Sequence, residues 1–197
     1  DVFPGSHLLK GEVLKNQGQT EAALAEYRKE LEISDDPKLK RTATVGVAVT
    51  CRELGQDDCA EDALQSLIEA DPSDATAHAQ LIDTYTRLGK IEEAQRALEQ
   101  APAEIRNDPI VHFNLGATAW QQGETDTAAR AFARTVELDP KMVEAQRLLG
   151  YCKIGQGAFA EAIQALEKYL EFAPGAADAA EIEALLESLK EQAAGQN

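Results

Sequence analysis

The sequence contains few of the residues from which catalytic and metal sites are usually built. Its 197 residues include three histidines, three cysteines, one methionine and one tryptophan. No cysteine has a histidine placed to activate it, and the chain has no zinc-protease helix, phosphate loop, calcium loop or dinucleotide-binding pattern. We therefore expect no enzymatic activity, no catalytic residues, no bound metal and no cofactor.

Positive charge and long apolar runs are also scarce. Nineteen lysines and arginines stand against thirty-five aspartates and glutamates, which gives a formal net charge of −16, and the basic residues are scattered. Binding to nucleic acid or to an anionic membrane is therefore disfavoured. No stretch approaches eighteen consecutive apolar residues, so no membrane insertion is expected. We attribute the acidity to solubility, with attraction of a basic partner as the alternative.

The chain does contain an internal repeat. Glycines recur every 34 residues, and a further glycine lies 37 residues ahead of them: Gly55, Gly89, Gly123 and Gly157, preceded by Gly18. A period of this length is typical of a solenoid built from stacked supersecondary units. The three additional residues in the first interval are expected in a loop around Ser34 to Lys40.

Small and large apolar residues accompany each glycine at fixed distances. An alanine follows by five residues, at Ala23, Ala60, Ala94, Ala128 and Ala162. Mostly small residues precede by seven, at Gly11, Ala48, Ile82, Gly116 and Gly150. Large residues follow by nine, at Tyr27, Leu64, Leu98, Phe132 and Leu166, and are expected at the seam between units. Antiparallel helices approach to about 8 Å where small side chains meet, so each unit is predicted to be a helical hairpin.

Prolines mark the ends of the predicted hairpins. Proline lacks the N–H and clashes with the preceding turn, so it should end the second helix of three units, at Pro72, Pro140 and Pro174. In the third unit Pro102 comes early and should stop the helix near Ala101. Asp108 and Pro109 are then predicted to be the N-cap and the first residue of the next helix.

Together these features resemble a tetratricopeptide repeat (TPR) array. The best-matching stretches run from His112 through Pro140 and from Leu149 through Pro174. The second copy departs from the pattern, because its β-branched residues between positions 42 and 50 favour a strand when read alone. The repeat nevertheless predicts a helix there, the least stable of the array. The resemblance implies an all-α fold, a right-handed α-solenoid of five helical hairpins with a C-terminal capping helix.

The domain boundaries follow from the repeat. An apolar stripe at Ile182, Leu185, Leu186 and Leu189 identifies the capping helix, which should cover the last hairpin. We expect a linker remnant at 1–5, repeats at about 6–39, 40–74, 75–108, 109–142 and 143–176, the capping helix at 177–192 and a frayed tail at 193–197.

The three histidines occupy one repeat position, eleven residues before their glycines: His7, His78 and His112. Equivalent positions in adjacent hairpins are about 8–10 Å apart, whereas nitrogens that share a zinc ion lie about 2.0–2.1 Å from it. The histidines are therefore expected to pack between helices.

The cysteines are an odd number without a close-paired motif. Cys51 takes a repeat position that holds Leu14, Tyr85 and Ala119 in three sister copies, so it is expected to be a small buried side chain. A disulfide between Cys51 and Cys59 is the alternative.

The resemblance also implies a concave groove, lined by the first helices of successive hairpins, in which peptides bind. Aromatic and arginine side chains contribute most to binding at such surfaces, and several fall at the groove positions of the third to fifth copies. We therefore predict a peptide-binding patch made of Gln80, Asp83, Arg87, Phe113, Asn114, Trp120, Arg147 and Tyr151. Packing of Trp120 within the stack is the alternative.

These observations favour a non-enzymatic interaction module that binds a peptide or protein segment in its concave groove. TPR domains that hold the C-terminal carboxylate of heat-shock chaperones use a clamp of lysines, asparagines and an arginine. The corresponding positions here hold Ala79, Asp83, Asn114, Glu144 and Leu148. The two acidic residues would repel a carboxylate, so we expect no binding of that ligand class.

A structural or self-associating arm of a larger multidomain protein is the alternative function. Asp1 stands in place of an initiating methionine, which leaves room for an upstream domain in the native chain. Leu8 and Leu9 are expected to be exposed at the end of the stack and suit weak self-association. No signal or transmembrane segment is recognised, and the sequence does not decide between a cytoplasmic and a periplasmic location.

Overall fold

The computed structural model describes residues 3–194, which form twelve helices and no strand. Ten helices form five hairpins: α1 (Ser6–Asn16) with α2 (Thr20–Ile33), α3 (Pro37–Glu53) with α4 (Asp57–Ala70), α5 (Ala75–Arg87) with α6 (Ile91–Gln100), α8 (Pro109–Gln121) with α9 (Thr125–Leu138), and α10 (Val143–Gly155) with α11 (Phe159–Phe172). The remaining two are α7 (Ala103–Arg106) and α12 (Ala179–Ala194). None of the described helices is both long and apolar enough to cross a bilayer.

The chain divides into two compact units. Unit 1 is the described chain up to Leu88 together with Glu92–Ile105, and it holds nearly all of the first three hairpins. Unit 2 is Gly89–Ile91 together with the described chain from Arg106 onward, and it holds the last two hairpins and α12.

The repeating glycine turns the chain between the two helices of each hairpin. All five copies have φ between 67° and 79°, which side chains other than glycine rarely adopt: Gly18, Gly55, Gly89, Gly123 and Gly157. In the fourth hairpin the N–H of Gly123 donates to the carbonyl of Trp120 at 3.0 Å, and the N–H of Glu124 donates to that of Ala119 at 2.9 Å. This is the Schellman pattern, which satisfies carbonyls at the end of a helix.

The small residues predicted at the helix contact pack as expected. The five alanines have no exposed surface: Ala23, Ala60, Ala94, Ala128 and Ala162. A Cβ added to Gly116 would lie 2.9 Å from the ring of Phe132, and one added to Gly150 would lie 2.6 Å from the Leu166 side chain. Phe132 and Leu166 therefore fill space inside their own hairpins. Leu166 also packs against α12, the helix that follows the last hairpin, in agreement with the seam prediction.

Tyr27 packs both inside its own hairpin and against the next hairpin. A Cβ added to Gly11 of its own hairpin would lie 2.7 Å from the Tyr27 ring, and one added to Gly46 of the next hairpin would lie 2.8 Å from it. The ring is 3% exposed. It joins the first two hairpins because glycine on either side allows both helices to approach it.

The three extra residues of the second repeat lie in a helix and not in a loop, contrary to the prediction. The first helix of the second hairpin, α3, spans 17 residues, while the first helices of the next three hairpins, α5, α8 and α10, span 13 each. It begins one turn early because Asp36 caps it, accepting a hydrogen bond from the backbone N–H of Lys38 at 2.8 Å, and because Pro37 suits the first position.

The β-branched segment of α3 is helical, as the repeat predicted. The Thr44 hydroxyl donates to the Lys40 carbonyl at 2.9 Å, and the Thr50 hydroxyl donates to the Gly46 carbonyl at 2.7 Å. These bonds satisfy the hydroxyl groups within the helix.

The proline predictions are confirmed. Three second helices end two residues before a proline: α4 before Pro72, α9 before Pro140 and α11 before Pro174. The helix α6 ends at Gln100, just ahead of Pro102. Asp108 caps α8 by accepting from the N–H of Ile110 at 2.8 Å, and Pro109 is the first residue of that helix.

The apolar stripe of α12 packs on the last hairpin. Ile182, Leu186 and Leu189 are buried in one cluster with Leu166 and Tyr169 of α11, and Leu185 packs against that cluster. Residues 193 and 194, expected in a frayed tail, continue the helix. Residues 195–197 of that tail, and residues 1 and 2 of the expected linker, lie outside the described range.

Cys51 is buried, as expected, and it forms a disulfide with Cys59, the alternative that the sequence left open. Their Cα atoms lie 5.8 Å apart, within the range that a disulfide requires. The pairing arises because Cys51 lies near the end of α3 and Cys59 in the first turn of α4, which the glycine turn brings together. Cys152 is a free, buried cysteine, and burial raises the pKa of its thiol to about 11.

Candidate functional site

The eight residues predicted to form one peptide-binding patch are divided between the two units. Unit 1 carries three of them on α5, namely Gln80, Asp83 and Arg87. Unit 2 carries Phe113, Asn114 and Trp120 on α8, and Arg147 and Tyr151 on α10. Each unit therefore presents its own set.

The charged members on α5 are engaged in ion pairs within unit 1. Asp83 accepts from Arg52 of α3 at 3.3 Å, and Arg87 donates to Asp57 of α4 at 2.9 Å. The third member, Gln80, is half-buried. These pairs link the third hairpin to the second, and a ligand that used either charge would have to compete with its present partner.

The α8 set forms an aromatic stripe. Phe113 and Trp120 are seven residues apart and share a helix face, with the small residue Ala117 between them. Phe113 is half-buried against Phe132 of α9, with ring centroids 5.8 Å apart and planes at 54°. Trp120 is 37% exposed, and Asn114 beside this stripe is also exposed. The helix thus presents apolar surface and an amide to solvent.

Arg147 is held by two carboxylates. Its Nη1 donates to Asp178 Oδ2 and its Nη2 to Glu144 Oε1, each at 2.7 Å. Asp178 also accepts from the hydroxyl of Tyr169 at 2.5 Å, and the Arg147 guanidinium lies 5.8 Å from the centroid of that ring. Because Asp178 directly precedes α12, the network ties α10 and α11 to the start of the capping helix.

The network fixes the protonation of its members. The hydrogen bond to Asp178, together with burial, raises the pKa of Tyr169 to about 12. Conversely, the Tyr169 and Arg147 hydrogen bonds lower the pKa of Asp178, and the carboxylates of Glu144 and Asp178 raise the pKa of Arg147. Tyr169 therefore stays neutral while Arg147 and Asp178 stay charged around neutral pH.

Sequence reasoning missed Asp178, although a signal was present. Asp74 and Asp108 each precede a first helix and cap it, with acceptor bonds from Ala77 and Ile110 at 3.1 and 2.8 Å. Asp178 occupies the matching place before the predicted capping helix. The sequence could therefore have predicted that Asp178 bonds to groups at the start of this helix and does not simply face solvent.

Tyr151 is half-buried and packs against the apolar cluster formed with α11 and α12. Burial raises the pKa of its hydroxyl. The side chain thus supports the core of unit 2 with part of its ring and leaves part accessible.

The histidine position has a structural role that the packing prediction did not include. The side-chain Nε2 of His78, His112 and Gln146 lies 3.2, 2.9 and 3.1 Å from the backbone carbonyl six residues earlier. His7 differs, because its Nδ1 contacts Glu26 Oε2 at 2.5 Å. Within residues 3–194, no three metal-ligating side chains are placed to share an ion.

Comparison with known proteins gives three matches to models of the tetratricopeptide repeat. They cover residues 4–37, 52–115 and 113–177, which together span most of the chain. The TPR repeat-containing protein YpiA of Bacillus subtilis (strain 168) is 27% identical over 124 residues, which are 62% of this chain and 29% of that protein. The chain therefore spans less than a third of the length of this relative.

Solved structures with the same fold include MamA and YrrB. MamA superposes with a TM-score of 0.65 at 22% identity, over 83% of this chain and 94% of that one. YrrB, described as a TPR protein with an unusual peptide-binding site, superposes with a TM-score of 0.61 at 23% identity, over 90% of each chain. These similarities establish an all-helical solenoid of the TPR type.

Proposed function

Because the chain belongs to the tetratricopeptide repeat (TPR) family, whose members are generally protein-interaction modules, we propose that unit 2 binds a peptide or protein segment along α8 and α10. TPR proteins are typically scaffolds without enzymatic activity, and the proposal is for a binding function alone. The observation that carries it is Trp120, the one tryptophan of the sequence, which is 37% exposed on α8.

The chemistry of the α8 surface suits a segment with apolar side chains. Phe113 and Trp120 offer large rings, and Ala117 between them leaves space for a ligand side chain. Aromatic side chains contribute strongly to binding because they bury much area at a low cost in conformational entropy. The Asn114 amide both donates and accepts hydrogen bonds, which suits the backbone of an extended peptide.

The residues on α10 have different roles in this proposal. Tyr151 offers the accessible part of its ring to the ligand. Arg147 acts as a positioning residue, because its guanidinium is already bonded to Asp178 and Glu144 at 2.7 Å and braces α12. The α5 residues Gln80, Asp83 and Arg87 belong to unit 1 and are not needed for binding by unit 2.

Capture from a peptide library tests the proposal. Peptides selected by the wild-type protein should bind Trp120→Ala at least about tenfold more weakly, the loss typical of a buried aromatic contact. Phe172→Ala is the matched control, because Phe172 is an aromatic residue of unit 2 that is 39% exposed on α11. Equal binding by wild type and Trp120→Ala, or an equal loss in Phe172→Ala, would contradict the assignment.

The proposed ligand is not a free C-terminal carboxylate. In unit 2, Glu144 stands at a position where a carboxylate clamp requires a basic group, and like charge opposes binding of an anion. The same library peptide with a free or an amidated C-terminus should therefore bind equally. Tighter binding of the free acid by tenfold would show that a carboxylate site exists.

Self-association is a second candidate, favoured by the surface of α1. Leu9 and Val13 are 64% and 54% exposed, and they lie one turn apart on the same face. Leu8, expected to be exposed beside Leu9, is instead buried at 8%. We propose that a second copy of the chain covers this face. Light scattering should then detect a dimer whose formation Leu9→Glu abolishes, and a monomer at all concentrations would exclude it.

A further inference from the structure

Unit 1 contains a cavity of about 520 Å³ between α4, α5 and α6. This volume falls within the range of about 300–1,000 Å³ that is typical of ligand pockets in proteins. Its described lining residues all belong to unit 1, whereas the α8 and α10 residues belong to unit 2.

The cavity wall is mixed in character and carries more carboxylates than cationic groups. Glu61 and Glu69 of α4 and Glu93 of α6 contribute three carboxylates to the described lining. Arg96 contributes a guanidinium, which lies 3.7 Å from Glu93. Tyr85 donates its hydroxyl to Glu61 at 2.8 Å. Because the carboxylates accept hydrogen bonds and carry negative charge, they favour a cation with N–H donors.

His78 adds a buried hydrogen-bond acceptor to the lining. The residue is 3% exposed, and its Nε2 lies 3.2 Å from the carbonyl oxygen of Pro72. A carbonyl only accepts, so Nε2 must carry the hydrogen, and Nδ1 of the neutral ring is then an acceptor. Among the described residues Nδ1 is buried without a hydrogen-bond partner. A buried acceptor of this kind is costly unless a ligand or water satisfies it.

The rest of the wall is partly apolar. Ile68 of α4, Leu81 of α5 and Ala97 of α6 also line the cavity. An aliphatic chain can pack on these residues while its charged end reaches a carboxylate, as lysine and arginine side chains do at protein surfaces.

From this combination we propose that the cavity binds an arginine or lysine side chain of a partner protein. The carboxylates recognise the cationic head, and the apolar residues hold the methylene stem. In this proposal the net charge of −16 attracts a basic segment at long range, and the cavity then holds one of its cationic side chains. It goes beyond the peptide surface of unit 2 and does not depend on it.

The test uses a matched pair of pentapeptides, acetyl-Ala-Ala-Arg-Ala-Ala-amide and its citrulline analogue, in which a neutral urea replaces the guanidinium. Calorimetry or NMR titration with wild-type protein should give saturable binding of the arginine peptide and binding at least about fivefold weaker for citrulline. Absence of saturation at millimolar arginine peptide, or equal binding of both peptides, would overturn the proposal.

A charge-matched pair of variants locates the site. Glu69→Gln with Glu93→Gln removes two wall carboxylates and keeps their shape, and it should weaken binding of the arginine peptide at least about fivefold. Glu92→Gln with Glu99→Gln removes two exposed carboxylates of α6 outside the lining and should leave binding within about twofold. Equal losses in the two pairs would mean that only net charge attracts the peptide. Circular dichroism confirms that both pairs are folded.

Histidine side-chain nitrogen spectra give an independent readout. The His78 signals should shift as the arginine peptide binds, while those of His7 and His112, which lie outside the lining, should not. His78→Gln assigns the signal, and Gln146 shows that glutamine makes the same loop hydrogen bond at this repeat position. Saturable binding with an unchanged His78 signal would place the peptide elsewhere and contradict the proposal.

Discussion

The first helices of the third and fourth hairpins, α5 in unit 1 and α8 in unit 2, have the same length but different exposed surfaces. On α5, Asp83 and Arg87 form ion pairs with neighbouring helices of unit 1. On α8, Phe113 and Trp120 form an aromatic stripe, part of which is open to solvent. The repeat thus fixes the turn glycine and the small contact residues, and it leaves the outer positions free to vary. They form ion pairs in unit 1 and an aromatic stripe in unit 2, where we propose that a peptide binds.

The two units also differ in what holds them together. Unit 1 has the disulfide between Cys51 and Cys59 and two buried carboxylates, Glu26 and Glu30. Glu30 accepts from the backbone N–H groups of Gly5 and Leu8 at 2.7 and 3.2 Å and so caps α1, which has no side-chain cap of its own. Unit 2 depends on the packing of α12 and on the Arg147 network. This contrast gives each unit a different set of vulnerable residues.

The largest expected effect is on unit 1, on loss of its disulfide. Cys51→Ser with Cys59→Ser should lower the free energy of unfolding of unit 1 by about 2–3 kcal/mol, the loss expected for a short cross-linked loop. Hydrogen exchange resolved along the chain should show lower protection in unit 1 and no change in unit 2. Equal loss of protection in both units would contradict the claim that the disulfide stabilises unit 1 alone.

Arg147→Gln should have the next largest effect, and in unit 2 alone. The change removes hydrogen bonds to Asp178 and Glu144 and should cost about 2 kcal/mol. Hydrogen exchange should show faster opening of α12 than of α8 and α9. Arg130→Gln is the control, because Arg130 is exposed and bonds only to Thr127 among the contacts described. A uniform loss across unit 2 would show that Arg147 does not brace the capping helix.

Acid should destabilise unit 1 through Glu26. Hydrogen bonds from His7 and Lys29 lower the pKa of Glu26 from 4.5 to about 2. A lowered pKa contributes stability above the unfolded value, and this contribution is lost as pH falls from about 4.5 to 2. Glu26→Gln should therefore flatten the acid side of the stability curve by on the order of 1 kcal/mol, because exposed lysine partners are screened.

The control for this acid titration is Glu32→Gln, at an exposed glutamate of the same helix. Its stability curve should keep the slope of the wild type between pH 4.5 and 2. If Glu26→Gln kept that slope as well, the buried carboxylate would not be responsible for it.

The smallest effect is expected at α5. Asp83→Asn removes an ion pair whose side chains are 58% and 36% exposed, so stability should change by less than about 0.5 kcal/mol. Capture of library peptides should not change either. A tenfold loss of capture would show that the α5 surface takes part in binding after all.

Most of the fold could be predicted because it depends on local backbone chemistry. Pro102 ends α6 through its own backbone chemistry, without help from distant residues. Asp108 caps α8 by bonding to Ile110, two residues further along the chain. The extension of α3 was mispredicted, since three residues fit either a loop or a helix. The Asp36–Pro37 pair starts the helix as an N-cap followed by proline, in the same way that Asp108–Pro109 begins α8. The sequence therefore contained the signal for this extension.

The candidate binding surfaces were less predictable because they depend on partners that are distant in sequence. Arg147 has the residue type of a peptide contact, and its bond to Asp178 spans 31 residues outside the repeat pattern. Likewise, the Cys51–Cys59 pairing depends on the distance across a turn, which spacing alone does not give. The cavity of unit 1 depends on how far apart α4, α5 and α6 lie, and no single stretch of sequence encodes that distance.

Fluorescence of Trp120 tests the central proposal most directly, because the sequence has no other tryptophan. Titration with a captured peptide should shift the emission to shorter wavelength, protect it from acrylamide quenching and saturate at the concentration that saturates capture. A peptide that saturates the protein while leaving both the emission and the quenching of Trp120 unchanged would contradict binding along α8.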